Sequence, residues 1–391
     1  MAEPAATGAS GPIFGDPTPL GTRTCRVAVV GMSEGPTCGA RDHAGLLAEA
    51  LERRGVECNM HWLCREEHSL RGSSREVAGW SRRLARELES ESPDAVLLHY
   101  SVFPFAHRGV PLFAHRVLSA LRDSGVPVVS VMHEFVYPWR AGDLRGNVWA
   151  LTQRAALVEV VRDSRALLVT TEMRAEWFRS RRWLPRRPTA LAPVFSNLPA
   201  STSSPPPGQA RQTVGLFGYS YQGAATAIVL DALQTLAERE LQLVLLGGPG
   251  ANSQAGAQWS AAANERGLGE SISFTGVLPA AELADALSAC EVLLFADTPG
   301  PSSRKGTLAG SLASGRPVLA LDGPQRWREM LAAQAAELVA PNAPALAEAL
   351  ARLLDDEPRR EALGRRGRAF AQQTGPDYSA EVVAGLIDGV L

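Results

Sequence analysis

Two series of short, continuously apolar runs alternate with segments of helical spacing along this chain. In the first series RVAVV (26–30) ends at Gly31, and AVLLH (95–99), VPVVSVM (126–132) and ALLVT (166–170) follow it. Between them Leu46, Leu47, Ala50 and Leu51 recur at helical intervals within 43–54, and further helices are predicted near 112–124 and 148–163. Continuous apolar runs bounded by helices predict a parallel sheet covered on both faces.

The pattern breaks at LPASTSSPPPGQARQ, residues 198–212, whose Pro-rich, small and polar composition is that of a linker. It then restarts with TVGLF (213–217), LQLVLL (241–246), a short run at 272–275 and EVLLF (291–295). Helices are predicted at 224–238, 282–289, 345–355, 359–372 and 378–391. The predicted fold class is α/β, with two doubly wound Rossmann-like domains facing a central cleft. The expected division is a disordered tail over 1–22 and a first domain over 23–200. A linker follows over 201–212, then a second domain over 213–372 and a helix over 373–391 that crosses back to the first domain. Ligands of such sheets lie beyond the carboxyl ends of the strands.

Composition narrows the function. The length of 391 residues suits two cores rather than one. A net charge of −2 excludes a general nucleic-acid surface, which needs a basic field. Five scattered cysteines without a CxxC pair fit neither a disulfide framework nor a zinc site, and point to a reducing cytoplasm. No run of 18 apolar residues predicts a membrane span. The basic, aromatic stretch WFRSRRWLPRR (177–187) reads as a solvated helix end or a membrane-surface contact.

The most telling segment is SSRKGTLAGSLASGRPVLA, residues 302–320. It reads as a polar cationic loop, a tight turn at Gly306, a small-residue helix from Thr307, a stop at Gly315 and a buried strand. Arg304 and Lys305 at a helix N-terminus, with Ser302, Ser303 and Thr307 as further donors, form a candidate phosphate site. Ser302 or Ser303 reads equally as the helix cap. All seven histidines lie within the first 133 residues, and His133 closes a buried strand. It is either bonded to a loop carbonyl or a cleft residue able to exchange protons. Asp42 reads as a helix N-cap or a ligand contact, and His43 as a ligand contact or a residue of the helix's exposed face. GYSYQG (218–223) lacks the GxGxxG dinucleotide fingerprint.

Taken together, CGARDHAGLLAEALERRG, VVSVMHEF, FTGVLPAAELADALSACEVLLF and the 302–320 segment resemble the retaining, GT-B-type members of glycosyltransferase family four. The resemblance covers nearly the whole chain after the tail. It implies a glycosyltransferase that moves a sugar from a nucleotide-diphosphate donor to an acceptor with retention, and the divergence points to a small natural-product acceptor. The implied donor site comprises Gly39, Ala40, Gly218, Tyr219, Ser220, Gln222, Gly248, Val277, Leu278, Ser302, Ser303, Gly306 and Thr307. His133, Arg304 and Lys305 would carry catalysis, and Asp42, His43 and Glu134 would meet the acceptor. No cofactor is expected beyond the nucleotide-sugar co-substrate, and no metal, because there is no DxD motif to hold one on a diphosphate. The protein would be a monomer or homodimer. Two departures stand out: Ser302 and Gly310 occupy places where the family carries two glutamates, and GYSYQG lacks the family's cations. The alternatives are a nucleotide-sugar 2-epimerase and a non-catalytic nucleotide-sugar-binding protein of the same architecture.

Overall fold

The computed structural model describes residues 25–35, 38–201, 212–218, 224–248 and 250–391. The expected tail, most of the linker, and Tyr219, Ser220 and Gln222 lie outside these residues.

The first domain runs β1 (Cys25–Ser33), α1 (Gly39–Glu52), β2 (Val56–Cys64), α2 (Leu70–Glu91), β3 (Ala95–Ser101), α3 (Ala114–Asp123), β4 (Val128–Glu134), α4 (Leu144–Asp163), β5 (Ala166–Val169), α5 (Glu172–Ser180) and β6 (Thr189–Leu191). Its strands are all parallel, in the order β2-β1-β3-β4-β5-β6. Alternate residues of the central strands face opposite layers. Ala28, Val30 and Met32 pack with α2, α3 and α4, while Val27 and Val29 pack with α1. Burial on both faces explains why these strands read as unbroken apolar runs.

The second domain runs β7 (Thr213–Phe217), α6 (Ala224–Thr235), β8 (Gln242–Leu246), α7 (Gln254–Asn264), β9 (Ile272–Gly276), α8 (Ala280–Ser288), β10 (Val292–Phe295), α9 (Gly306–Ala313), β11 (Val318–Leu321), α10 (Arg328–Ala332), β12 (Glu337–Val339), α11 (Ala343–Asp355) and α12 (Glu357–Gln373). Its parallel sheet has the order β12-β11-β10-β7-β8-β9. Read from β9, this is the 3-2-1-4-5-6 order of dinucleotide folds, and its direction reverses between β7 and β10. The loop after β10 therefore borders the crevice where such sheets bind ligands. The cationic 302–305 segment is part of the loop after β10.

The last helix, α13 (Pro376–Asp388), packs on α1. Ala380, Val383 and Ile387 join Leu47, Leu51 and Val27 in one core. Arg53 and Arg54 of the first domain pair with Asp377 and Glu381 at 2.8 Å each. These exposed pairs add little beside the apolar contact.

Gly315 ends α9 as anticipated, at φ +78°. Gly306 does not serve the expected tight turn. It is the first residue of α9, outside the left-handed region, and an added Cβ would meet nothing nearer than Val194 at 3.8 Å.

Candidate functional site

The two domains meet where the loop after β10 touches the carboxyl ends of β4 and β5. Ser303 Oγ donates to the Thr170 carbonyl at 2.6 Å, and the Val194 amide donates to the Ser303 carbonyl at 2.8 Å. Arg304 Nη1 reaches across to Glu134 Oε1 at 2.9 Å. The same carboxylate oxygen takes Arg174 Nη2 at 3.0 Å. Arg174 also donates to the His133 carbonyl and to Thr170 Oγ1, which fixes the end of β4. Burial and the neighbouring Arg304 charge work against the charged form of Arg174, while Glu134 supports it. Lys305 Nζ pairs with Asp297 Oδ2 at 2.6 Å. Both candidate phosphate-binding cations thus hold carboxylates that an anionic ligand has to displace.

Neither serine caps α9. Its N-cap is Lys305, and no side chain accepts from the first turn. The first-turn N–H groups of a helix have no acceptor within it, so these are available to an anion, and the helix dipole favours one. Ser303 is spent on Thr170, whereas Ser302 Oγ is buried with no partner among the described residues. Gly306 and Thr307 supply the free end of the helix.

Gly310, where the resemblance would put a glutamate, is closed to one. A Cβ there would lie 2.9 Å from the Phe217 ring and 3.5 Å from Leu198. Phe217, at the end of β7, fills the space such an acid would use.

Three imidazoles converge in the first domain. His43 comes from the first turn of α1, His99 from the end of β3 and His133 from the end of β4. These elements flank the switch between β1 and β3, where that sheet reverses direction. His99 Nδ1 and His133 Nε2 lie 3.0 Å apart, and the His43 ring stacks on Phe195 at 4.2 Å between centroids. His43 is only 4% exposed, so it is not on the helix's open face. Asp42 is not the cap either. Cys38 precedes the helix without capping it, and Asp42 lies within the first turn. Burial, with the neighbouring His133, pushes His43 down to about 3. Burial, with Arg174 nearby, pushes His133 down to about 4. His99 falls well below the ordinary histidine value for the same reason. All three are therefore neutral near pH 7. His99 escaped the sequence reading, although AVLLH and VVSVMH each end an apolar run in histidine. Two such strands paired in parallel place their histidines side by side.

The other candidates are dispersed around the cleft. Asn197 Nδ2 donates to the Gly39 carbonyl at 3.2 Å, so the stretch preceding the linker is tied to Gly39, and Ala40 beside it is half-buried. Gly218 has φ +70° and donates to the Leu246 carbonyl. Gly248 is buried. Val277 is exposed and Leu278 packs against the core that contains α9. Gly250 and Gly276, both with positive φ, face each other at close range, which accounts for the glycines there by turn geometry. All five cysteines are free, and burial raises Cys290 to about 12, which fits a packing role. Trp177 packs against Phe135 and Phe178, so the 177–187 stretch is partly core. No described helix is long and apolar enough to cross a membrane.

A fold of two facing Rossmann-like domains, with a cationic helix terminus at the second domain's switch point, is the GT-B fold. Residues 211–356 match the family model described as glycosyl transferases group 1. No curated protein matches the chain. Among solved structures it is similar to sucrose-phosphate synthase from Thermosynechococcus elongatus, at 17% identity and TM-score 0.68, covering 93% of this chain and 98% of that one. It is also similar to Anabaena HepE in complex with UDP and glucose, at 15% identity and TM-score 0.65, covering 94% and 100%. A third similar structure, from Listeria monocytogenes, is provisionally named a UDP-N-acetylglucosamine 2-epimerase. It has 14% identity and TM-score 0.60, over 93% and 96%.

Proposed function

We propose that this protein is a glycosyltransferase that takes a sugar from a nucleotide-diphosphate donor and delivers it to a small-molecule acceptor with retention of configuration. The observation that carries the reading is the uncapped N-terminus of α9 beside Arg304 and Lys305, at the switch point of the second sheet and opposite His133 and Glu134. The group 1 match over the same domain and the UDP held by the Anabaena neighbour support it.

The second domain holds the nucleotide. Arg304, Lys305, Ser302 and the N–H groups of Gly306 and Thr307 meet the diphosphate, whose negative charge grows as the sugar leaves. Protein cations and a helix dipole do this work in place of a DxD-bound ion. His133 borders the sugar, and Asp42, His43 and Glu134 belong to the acceptor side. His133 is neutral at the working pH, able to accept or donate a hydrogen bond but ill suited to protonate a leaving group. The cleft carboxylates Glu134 and Asp297 are each paired with a cation, and a base other than a protein side chain, the departing phosphate itself, fits such a site. The reaction is placed in the cytoplasm, with domain closure keeping water from the donor.

The epimerase reading has one neighbour in its favour. The two readings separate on incubation with labelled nucleotide sugars. Nucleotide released only when an acceptor is present supports transfer. A changed sugar still attached to nucleotide supports epimerisation, and binding without turnover supports a non-catalytic protein.

A further inference from the structure

We propose that His43, His99 and His133 form a site for one divalent cation of the zinc class. One ring nitrogen from each residue lies within 4.8 Å of the other two. The 3.0 Å between His99 Nδ1 and His133 Nε2 is close to the roughly 3.3 Å that separates two nitrogens on a tetrahedral zinc with 2.0–2.1 Å bonds. The third imidazole needs to close by at most about 1.5 Å to complete that geometry.

A second observation is independent of the spacing. His43 Nδ1 and His99 Nε2 are buried with no hydrogen-bond partner among the described residues, on side chains 4% and 2% exposed. Buried polar atoms ordinarily find partners; a cation bound through His99 Nδ1 leaves the Nε2 of that ring as it is, but it supplies the partner that His43 Nδ1 lacks.

The donor set selects the metal. Three neutral imidazoles, with no carboxylate in the group, suit zinc, cobalt, nickel or copper and not magnesium or calcium, which prefer oxygen. The scaffold is rigid: His99 and His133 end two adjacent paired strands, and Phe195 stacks on His43. Arg174 holds the His133 backbone from behind. Three protein ligands leave a fourth position for water or for a hydroxyl or thiol of the acceptor. His133 is the least buried of the three, so that position is reached from the cleft side. This site is separate from the diphosphate cations, and its occupancy does not depend on the proposed transfer reaction.

The test uses the full chain stripped with EDTA, then equilibrated with Zn2+ or Co2+ and dialysed. The expected result is one zinc per chain by elemental analysis, and the visible d–d bands of tetrahedral cobalt in the Co2+ form. His99→Gln and His133→Gln should each lower affinity by about 100-fold or more, since each removes one of three ligands. Circular dichroism in EDTA establishes that the variants fold. If His99→Gln does not fold, His133→Gln, at the less buried position, supplies the readout. His61→Gln, which alters a histidine paired with Glu87 and Glu91 elsewhere in the first domain, should leave the stoichiometry at one. Absence of bound zinc in the wild-type chain, octahedral cobalt spectra, or unchanged affinity in a folded histidine variant overturns the proposal.

Discussion

Glu134 offers a test in which removing a charge should improve binding. Its Oε1 lies 2.9 Å from Arg304 and 3.0 Å from Arg174. In bulk water two unit charges at about 3 Å attract by roughly 1.4 kcal/mol. The Glu134 side chain is 44% exposed and that of Arg304 29%, so solvent screening and side-chain ordering leave a net of about 0.2–1 kcal/mol for the cross-domain pair. A diphosphate that recruits Arg304 has to break this pair. Glu134→Gln should therefore tighten UDP binding by up to about fivefold. Isothermal titration at low salt measures the gain, which should shrink at 0.5 M NaCl as the charges are screened. In an Arg304→Ala background the same substitution should produce a smaller gain, because the cross-domain pair is gone and only the Glu134–Arg174 pair within the first domain remains. Weaker UDP binding in Glu134→Gln, or an equal gain without Arg304, would refute the competition and with it the assignment of Arg304 to the diphosphate.

Other outcomes follow from the packing and the titrating groups. Gly310→Glu should restore the expected acid only by displacing Phe217, at a cost of about 1–3 kcal/mol or more, read as a lower thermal midpoint without gained donor affinity. Ile387→Ala, at a position 1% exposed on α13, should cost about 2–5 kcal/mol, and a urea melt that does not move would show that α13 is not part of the first domain's core. The buried histidines make metal-free protein acid-sensitive. Their folded values lie below the ordinary 6.5, so their stabilisation is whole above that pH and is lost as pH falls toward 4 and the unfolded chain gains protons. Each contributes up to about 1.4 kcal/mol per pH unit in that window. Urea midpoints in EDTA at pH 7, 5.5 and 4.5 should fall less steeply for His43→Asn than for the wild type, and equal slopes would contradict the burial argument.

What could be read from the sequence follows the physics of each element. Strands β1, β3, β4, β7, β8 and β10 are buried on both faces and announce themselves as apolar runs. Strand β2 is an edge strand whose polar and apolar residues mix, as in VECNMHWLC, so no apolar run marks it. The 22-residue α2 is equally faint in the sequence, because only Val77, Trp80, Leu84 and Leu88 mark its inner face amid charges. The cationic loop and small-residue helix at 302–313 were legible because local residue types define them. The histidine cluster was not, since it needs the pairing of β3 with β4 and the return of α1 over the same sheet end. Asp42 misled for a local reason: α1 starts three residues earlier, at Gly39, so a good capping residue sits inside the helix.

The anion site at the start of α9 carries the nucleotide-sugar chemistry proposed for this protein. Titrating UDP-glucose into the wild-type protein and into the Arg304→Ala/Lys305→Ala double variant tests it most directly. The prediction is saturable binding to the wild type and a loss of about 100-fold or more in the double variant, since two charge-assisted contacts worth about 1.5–3 kcal/mol each are removed. Equal affinity in a folded double variant would contradict the site and the nucleotide-sugar chemistry built on it.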